Sequence, residues 1–368
     1  LFSHLKSAQV AEWIGFAGLS VLVCWANALF ALAWNQYPRP RWSRYVMIFV
    51  VGRFAVELAG LGLEKNLPET ESKLKVGFVQ PNIGNWDKYF AERGSGFQAP
   101  IVEKAIALLR QAAQNANRPD FLVLPETAYP AAFDQPQVNG FYQKMLTDFA
   151  REQKMPVVFG AYSESTPQPG KPKLDYNAVF SINPEGVVSP AYRKHILLAF
   201  GEYFPGGEYL PFLKNLIPEI SDFGRGPGAT TFDILGAKLS PLICYEGLDS
   251  QYVGEATRLG AQVFVNVTND SWFAKRFEPY QHMIMTAGRS VEFRRPIVRV
   301  TNTGISTVSD IAGHLLIQSP QDAEWTQTVE FSFSKNPKFT VYSHLVQYLW
   351  VLYFALVAGT LFVAKRLL

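Results

Sequence analysis

Residues 13–34 read WIGFAGLSVLVCWANALFALAW, with Ser20 and Asn27 as the polar interruptions. A run this long and apolar crosses a hydrocarbon core of about 30 Å as a single helix. Residues 345–364, LVQYLWVLYFALVAGTLFVA, have the same character. Residues 45–63, YVMIFVVGRFAVELAGLGL, are apolar but carry Arg53 and Glu57. One helical turn separates these two, so they share a face and neutralise each other. Within a membrane such a pair turns toward protein or a polar cavity. The competing reading of this segment is a buried amphipathic helix, and its apolar length and neighbours favour a span. Composition agrees. Charged residues make up 18% of the 368, below the roughly 25% of soluble domains, so part of the chain is expected to face something other than water.

The basic residues orient these spans. The 35–44 loop holds Arg39, Arg41 and Arg44 and no acid, and the chain closes on Lys365 and Arg366. The positive-inside rule assigns both to the cytoplasm. Residues from about 68 to 337 then lie on the far side, where the first span also begins. The chain starts at Leu1, with no charged n-region and no small-residue cleavage site. The expectation is a processed chain, or one whose earlier spans are not included. Residues 1–67 are therefore assigned to membrane helices (about 13–34 and 45–63), 68–337 to a catalytic domain, and 338–368 to a C-terminal membrane helix (about 345–364).

A net charge of +3 and the lack of a long basic run argue against a nucleic-acid partner. Two cysteines build no disulfide framework, so both are expected as free thiols. Cys24 lies inside the first apolar run and reads as a small buried hydrophobe.

The middle block alternates strand and helix patterns. Short continuous apolar runs lie at 74–80, 121–125, 157–161, 177–182, 238–243, 262–267 and 297–300, the signature of strands covered on both faces. Helical patterns fill 101–115, 138–153, 250–259 and 279–293. This alternation predicts a layered α/β domain around a buried sheet. Residues 199–228, AFGEYFPGGEYLPFLKNLIPEISDFGRGPG, break the pattern. A loop this long in a compact domain is usually functional or disordered, and its density of Phe, Tyr and Leu argues against disorder.

Three predicted strand ends carry reactive groups. LVLPETAYP places Glu126 after the 121–125 strand, YRKHILLAF places Lys194 before the long loop, and PLICYEG places Cys244 at the end of the 238–243 strand. In buried-sheet folds such ends are where functional groups gather. The three suit a thiol mechanism. A cysteine needs a base or nearby cation to act as thiolate, and a glutamate supplies the base. A lysine stabilises the oxyanion, with the Tyr245 backbone amide as second donor. Attack on a carbonyl would leave a thioester for a second nucleophile to resolve. Rival chemistries lack their motifs: there is no G-x-S-x-G elbow and no P-loop. His4, His195, His282, His314 and His344 form no H-E-x-x-H and have no partner cysteines, so no metal and no cofactor is expected. His195, next to Lys194 on a strand, would point away from it.

These segments, together with VQPNIGNWDK, FGEYFPGGEYLP and VNVTNDSWF, resemble the motifs of the nitrilase superfamily. With the flanking spans the chain is similar to its membrane-embedded branch, the apolipoprotein N-acyltransferases. The resemblance runs over about 74–316 by motif. It implies an α-β-β-α sandwich, with Cys244 as nucleophile, Glu126 as general base and Lys194 as oxyanion stabiliser. It makes Glu202 a second site glutamate that holds the lysine, and Trp86, Tyr245 and Glu246 further essential positions. It implies a phospholipid acyl donor and, as acceptor, the α-amino group of a diacylglyceryl-modified N-terminal cysteine of an apolipoprotein. The setting implied is the bacterial inner membrane, with a monomer whose catalytic domain faces the periplasm. That family carries more membrane helices ahead of its catalytic domain than are found here.

A membrane-tethered amidase that hydrolyses a small amide would use the same three residues, and a membrane-anchored binding protein would need none of them. The greasy 199–228 loop favours a lipid chain, since each methylene kept from water is worth about 0.8 kcal/mol. Tyr209, Phe212 and Leu216 of this loop, with Trp272 and Phe273, are expected to form an interfacial lid. The competing reading packs the three loop residues as a satellite core.

Overall fold

A computed structural model of the chain describes residues 5–38, 41–84, 87, 91, 98–166, 173–207, 222–271 and 277–367. Its strands are β1 (Ser72–Gln80), β2 (Phe121–Val123), β3 (Tyr129–Ala132), β4 (Val157–Glu164), β5 (Asp175–Ile182), β6 (Tyr192–Arg193), β7 (Phe232–Ile234), β8 (Ala237–Ile243), β9 (Val263–Thr268), β10 (Ile297–Thr301), β11 (Thr307–Ser309), β12 (Leu315–Gln318) and β13 (Trp325–Phe333). Each of the seven apolar runs forms a strand (β1, β2, β4, β5, β8, β9 and β10), and the other six strands had no predicted run. One sheet runs β13-β1-β2-β4-β5-β6, with β3 on β4, and the other runs β12-β11-β10-β9-β8-β7. The central pairs are parallel, with Val76 opposite Phe121, Leu122 opposite Val157, Leu239 opposite Val263 and Val265 opposite Val298.

Side-chain alternation along each strand builds the layers. Phe121 and Val123 join Val76, Phe78 and Val158 of the first sheet and Leu239, Val265 and Val298 of the second in one core between the sheets. Leu122 and Leu124 point the other way and pack with Leu109 and Phe149. Those two belong to helices α4 (Gln98–Ala113) and α5 (Pro136–Gln153), following α1 (Leu5–Ala8), α2 (Ala11–Gln36) and α3 (Trp42–Lys65). The second sheet carries α6 (Ser250–Arg258) and α7 (Glu278–Phe293) on its outer side, and α8 (Val341–Leu345) and α9 (Leu349–Leu367) end the chain. The architecture is the α-β-β-α sandwich, with apolar helices ahead of it.

Strand β13 had no counterpart among the sequence expectations. Its residues, WTQTVEFSF, alternate with polar ones because it is an edge strand. It nevertheless pairs with all of β1, from Ser72 opposite Phe333 to Gln80 opposite Trp325.

Helices α2 and α3 are long and apolar enough to cross a membrane. Gly60 is the one buried residue of α3, so within this chain the helix is largely exposed. Arg53 Nη1 pairs with Glu57 Oε2 at 2.6 Å, and Ser7 Oγ donates to the same oxygen at 2.6 Å. The reading of Cys24 as buried is corrected: it is a free thiol on an exposed helix face, because α2 turns that face away from the protein. The third apolar run is divided, with α8 ending at Leu345 and α9 starting at Leu349.

The apolar helices α2 and α9 dock on the domain at one end. Gly15 breaks the helical path of α2 with φ of 68°, and a Cβ there would lie 2.3 Å from the Tyr342 ring. Arg294 Nη2 pairs with Glu12 at 2.8 Å, Phe16 N donates to Glu292 at 2.8 Å, and Tyr353 Oη donates to the Ile14 carbonyl.

Candidate active site

Strand β2 ends at Val123, and Leu124 and Pro125 lead into Glu126, after which Thr127 has a left-handed φ of 48°. This turn lies directly against β4. Gly160 N donates to Pro125 O at 3.1 Å, and a Cβ on Gly160 would come within 2.6 Å of Glu126 Cα. Only glycine permits that approach. Glu126 is buried, and both of its oxygens accept hydrogen bonds: Oε1 from Asn177 Nδ2 at 2.6 Å and Oε2 from Asn269 N at 2.8 Å.

Lys194 follows β6 and is 1% exposed. Its backbone is fixed on both sides, by Lys194 N to Asn177 O and by Gly226 N to Lys194 O, each at 2.8 Å. Its Nζ lies 2.8 Å from Glu202 Oε1, 2.7 Å from Glu202 Oε2 and 4.0 Å from Glu126 Oε1. Asn177 Nδ2 also reaches Glu202 Oε1 at 3.3 Å, so one amide spans both carboxylates. Burial alone would discharge this ammonium. The negative charges of Glu126 and Glu202, joined by that of Cys244 whenever it is a thiolate, outweigh it and hold the pKa above the ordinary lysine value. Lys194 therefore stays a cation at neutral pH and cannot serve as the base.

Strand β8 ends at Ile243, and Cys244 opens a short 3-10 turn, Cys244–Leu248, with φ of 49°. A left-handed non-glycine residue at a strand end is strained and recurs at functional positions. Cys244 is half-buried. Burial, and next the charge of Glu126, push its thiol up to about 12, against the downward pull of Lys194 and the Thr268 hydroxyl. The resting group is a neutral thiol, so attack requires a base in the same step. Of the two carboxylates whose charge acts on it, Glu126 acts more strongly than Asp270, and Asp270 is held by Arg299.

Glu246 is 0% exposed and does not line the reacting side. Its Oε1 accepts from His195 N at 2.7 Å and Ile196 N at 3.1 Å. Its Oε2 accepts from Ile243 N at 2.7 Å and Tyr192 Oη at 2.6 Å. One carboxylate thus ties the turn that carries Cys244 to the segment that carries Lys194. His195 turns away as expected, stacking on Tyr252 with ring centroids 5.6 Å apart. The Tyr245 side chain is 47% exposed.

The structure therefore brings Glu126, Lys194, Glu202 and Cys244 together, with Tyr245 and Glu246 in the adjoining turn. Trp86, Tyr209, Phe212, Leu216, Trp272 and Phe273 lie outside the described residues. Sequence reasoning missed Asn177, which bridges the two glutamates. It sits inside a strand and looks like any polar interruption of an apolar run. Asp270, Glu278 and His282 bring ligand atoms within 4.8 Å of one another, but Arg299 already holds Asp270 at 2.7 Å, a poor arrangement for a cation.

The pattern of the carbon-nitrogen hydrolases matches residues 75–335. The chain belongs to the carbon-nitrogen hydrolase family. Solved members share the fold. A carbon-nitrogen hydrolase from Helicobacter pylori G27 superimposes with a TM-score of 0.54 at 14% identity, over 70% of this chain and 89% of that one. Saccharomyces cerevisiae Nit3 does so with a TM-score of 0.53 at 17% identity, over 77% and 97%. Among curated carbon-nitrogen hydrolase relatives, the apolipoprotein N-acyltransferase of Bdellovibrio bacteriovorus is 36% identical over 95% of this chain and 65% of its own length. That of Geobacter metallireducens is 33% identical over 87% and 60%. The chain spans less than two thirds of the length of these relatives. Together with the two apolar helices, they mark it as a membrane protein.

Proposed function

We propose that this chain carries the chemistry of an apolipoprotein N-acyltransferase. An acyl chain passes from a phospholipid, through a thioester on Cys244, to the α-amino group of an N-terminal diacylglyceryl-cysteine. The observation that supports it most is a neutral thiol at a strand end, influenced by the buried Glu126 and by a lysine that two carboxylates keep charged. The Cys244 sulfur bonds to the ester carbonyl carbon as Glu126 takes the thiol proton. Lys194 and the Tyr245 amide stabilise the oxyanion. The carbonyl re-forms, the ester C–O bond breaks, and the lysophospholipid oxygen leaves with the proton from Glu126. The acceptor amine then attacks the thioester, Glu126 receives its proton, and Cys244 leaves and regains it.

Hydrolysis of a small amide would use the same groups. The apolar helices docked on the domain and the names of the relatives favour the lipid reaction. On this reading residues 1–67 and 338–368 anchor a monomer in the bacterial inner membrane, and 68–337 work on the periplasmic side. Mass spectrometry of a synthetic diacylglyceryl-cysteinyl peptide tests it. The peptide should gain one acyl chain when incubated with the protein and phospholipid. Release of free fatty acid with no acylated peptide would favour the hydrolase instead.

A further inference from the structure

The peptide that joins Cys244 to Tyr245 is held from one side by a buried chain of polar residues. Asn266 Nδ2 donates to Cys244 O at 3.1 Å and reaches Leu242 O at 3.3 Å. The amide cannot flip, because Arg299 Nη1 donates to its Oδ1 at 2.7 Å. Arg299 Nη2 in turn donates to Asp270 Oδ2 at 2.7 Å, and His282 Nδ1 lies 3.0 Å from Asp270 Oδ1. Asn266 and Arg299 are 0% exposed, Asp270 2% and His282 4%. An ionised Asp270 can only accept, so His282 Nδ1 is the donor in that contact. Burial and next the Arg299 charge lower the His282 pKa.

The relay has a direction. Phe264 packs its ring on Phe293 of α7, so by alternation Val265 and Val267, on either side of Asn266, face the core between the sheets. Asn266 therefore faces the opposite way, toward α7: a Cβ on Gly247 of the turn would meet Asn266 Nδ2 at 3.0 Å and Thr286 Cγ2 of α7 at 3.2 Å. The Cys244 carbonyl is drawn to that outer side. A trans peptide is planar, with C=O and N–H opposed. The Tyr245 N–H must then point inward, toward the first sheet, which supplies Glu126 and Lys194.

We propose that Asn266, Arg299, Asp270 and His282 are positioning residues that aim the Tyr245 amide at the oxyanion, without touching substrate themselves. This rests on the thioester reading of Cys244 and deepens it. It also accounts for the left-handed φ at Cys244, since the carbonyl clamp holds the turn in that conformation.

The test compares two reactions of one thiol in a Cys24→Ser background, which leaves Cys244 the only cysteine. Acylation by p-nitrophenyl butyrate passes through an oxyanion, whereas alkylation by iodoacetamide does not. Asn266→Ala should slow acylation by about thirtyfold or more and leave alkylation within about threefold. Asp270→Asn keeps the shape and weakens the hold on Arg299, so it should shift the same ratio in the same direction by a smaller factor. Asn266→Ser, with a shorter donor, should fall between Asn266→Ala and the parent. An unchanged ratio in Asn266→Ala and Asp270→Asn would overturn the proposal, whether the two rates hold or fall together, because a merely structural role moves both. Because the activated ester requires no lipid site, failure of the parent with phospholipid but not with the ester would count against the acyl donor and leave the aiming of the amide intact.

Discussion

A thiol pushed up to about 12 sets how Cys244 reacts without substrate. The thiolate fraction then grows about tenfold per pH unit and is still rising well past the ordinary cysteine value of about 8.5. Iodoacetamide alkylation of Cys244, followed by peptide mapping to separate it from Cys24, should climb with unit slope from pH 7 to 10. A plateau below pH 8 would mean a preformed thiolate paired with Lys194 and would remove the need for Glu126 as base. The same geometry gives the other two residues different losses. Glu126→Gln retains acceptor capacity toward Asn177 or Asn269 but takes no proton. Lys194→Ala removes the cation and leaves Glu202 with only the neutral donors Asn177 Nδ2 and Leu198 N. Each should lower the rate of acyl transfer by about a hundredfold or more, and Lys194→Ala alone should also slow alkylation, because that charge lowers the thiol pKa. Near-normal turnover in either variant would break the triad.

At the scale of elements, the site depends on two sheets keeping register at their ends, and Glu246 is the tie between them. In Glu246→Gln one end of the side chain becomes an NH₂ that faces donors, either His195 N and Ile196 N or Ile243 N and Tyr192 Oη. Each buried N–H left without an acceptor costs about 1–3 kcal/mol. Glu246→Gln should lower Tm by several degrees and also slow turnover, as calorimetry and an activity assay on the same preparation would show. Unchanged Tm would mean the tie does not hold the elements. This level was only partly legible in the sequence. Continuous apolar runs ending at Pro125 and Ile243 located Glu126 and Cys244, because strands covered on both faces stop abruptly where the chain turns out. Asn177, Asn266 and Arg299 were not legible. They are polar residues inside strands, and their meaning comes from facing layers that only the tertiary fold brings together. Strand β13 escaped because an edge strand alternates polar and apolar residues. Cys24 misled because a membrane helix turns its apolar face outward, where burial rules for water-soluble cores do not apply.

Across the whole molecule, α2 and α9 run away from the domain and α3 runs back to it. The start of α2 docks on the domain through Glu12 and Phe16, the end of α3 leads within a few residues into β1, and α9 begins next to α2 at Tyr353. The turn after α2 and the end of α9 therefore lie at the ends remote from the domain. Those are the positions of Arg41, Arg44, Lys365 and Arg366. A reporter fused after Leu368 should read as cytoplasmic and one inserted near Gly170 as periplasmic, and the reverse pattern would overturn the topology. The central claim is that acyl groups pass through Cys244, and intact-mass analysis of the protein after incubation with phospholipid tests it most directly. The account predicts a mass increase of one acyl chain that hydroxylamine removes and that is lost in Cys244→Ala. An adduct that persists in Cys244→Ala, or transfer to the acceptor peptide by that variant, would contradict it.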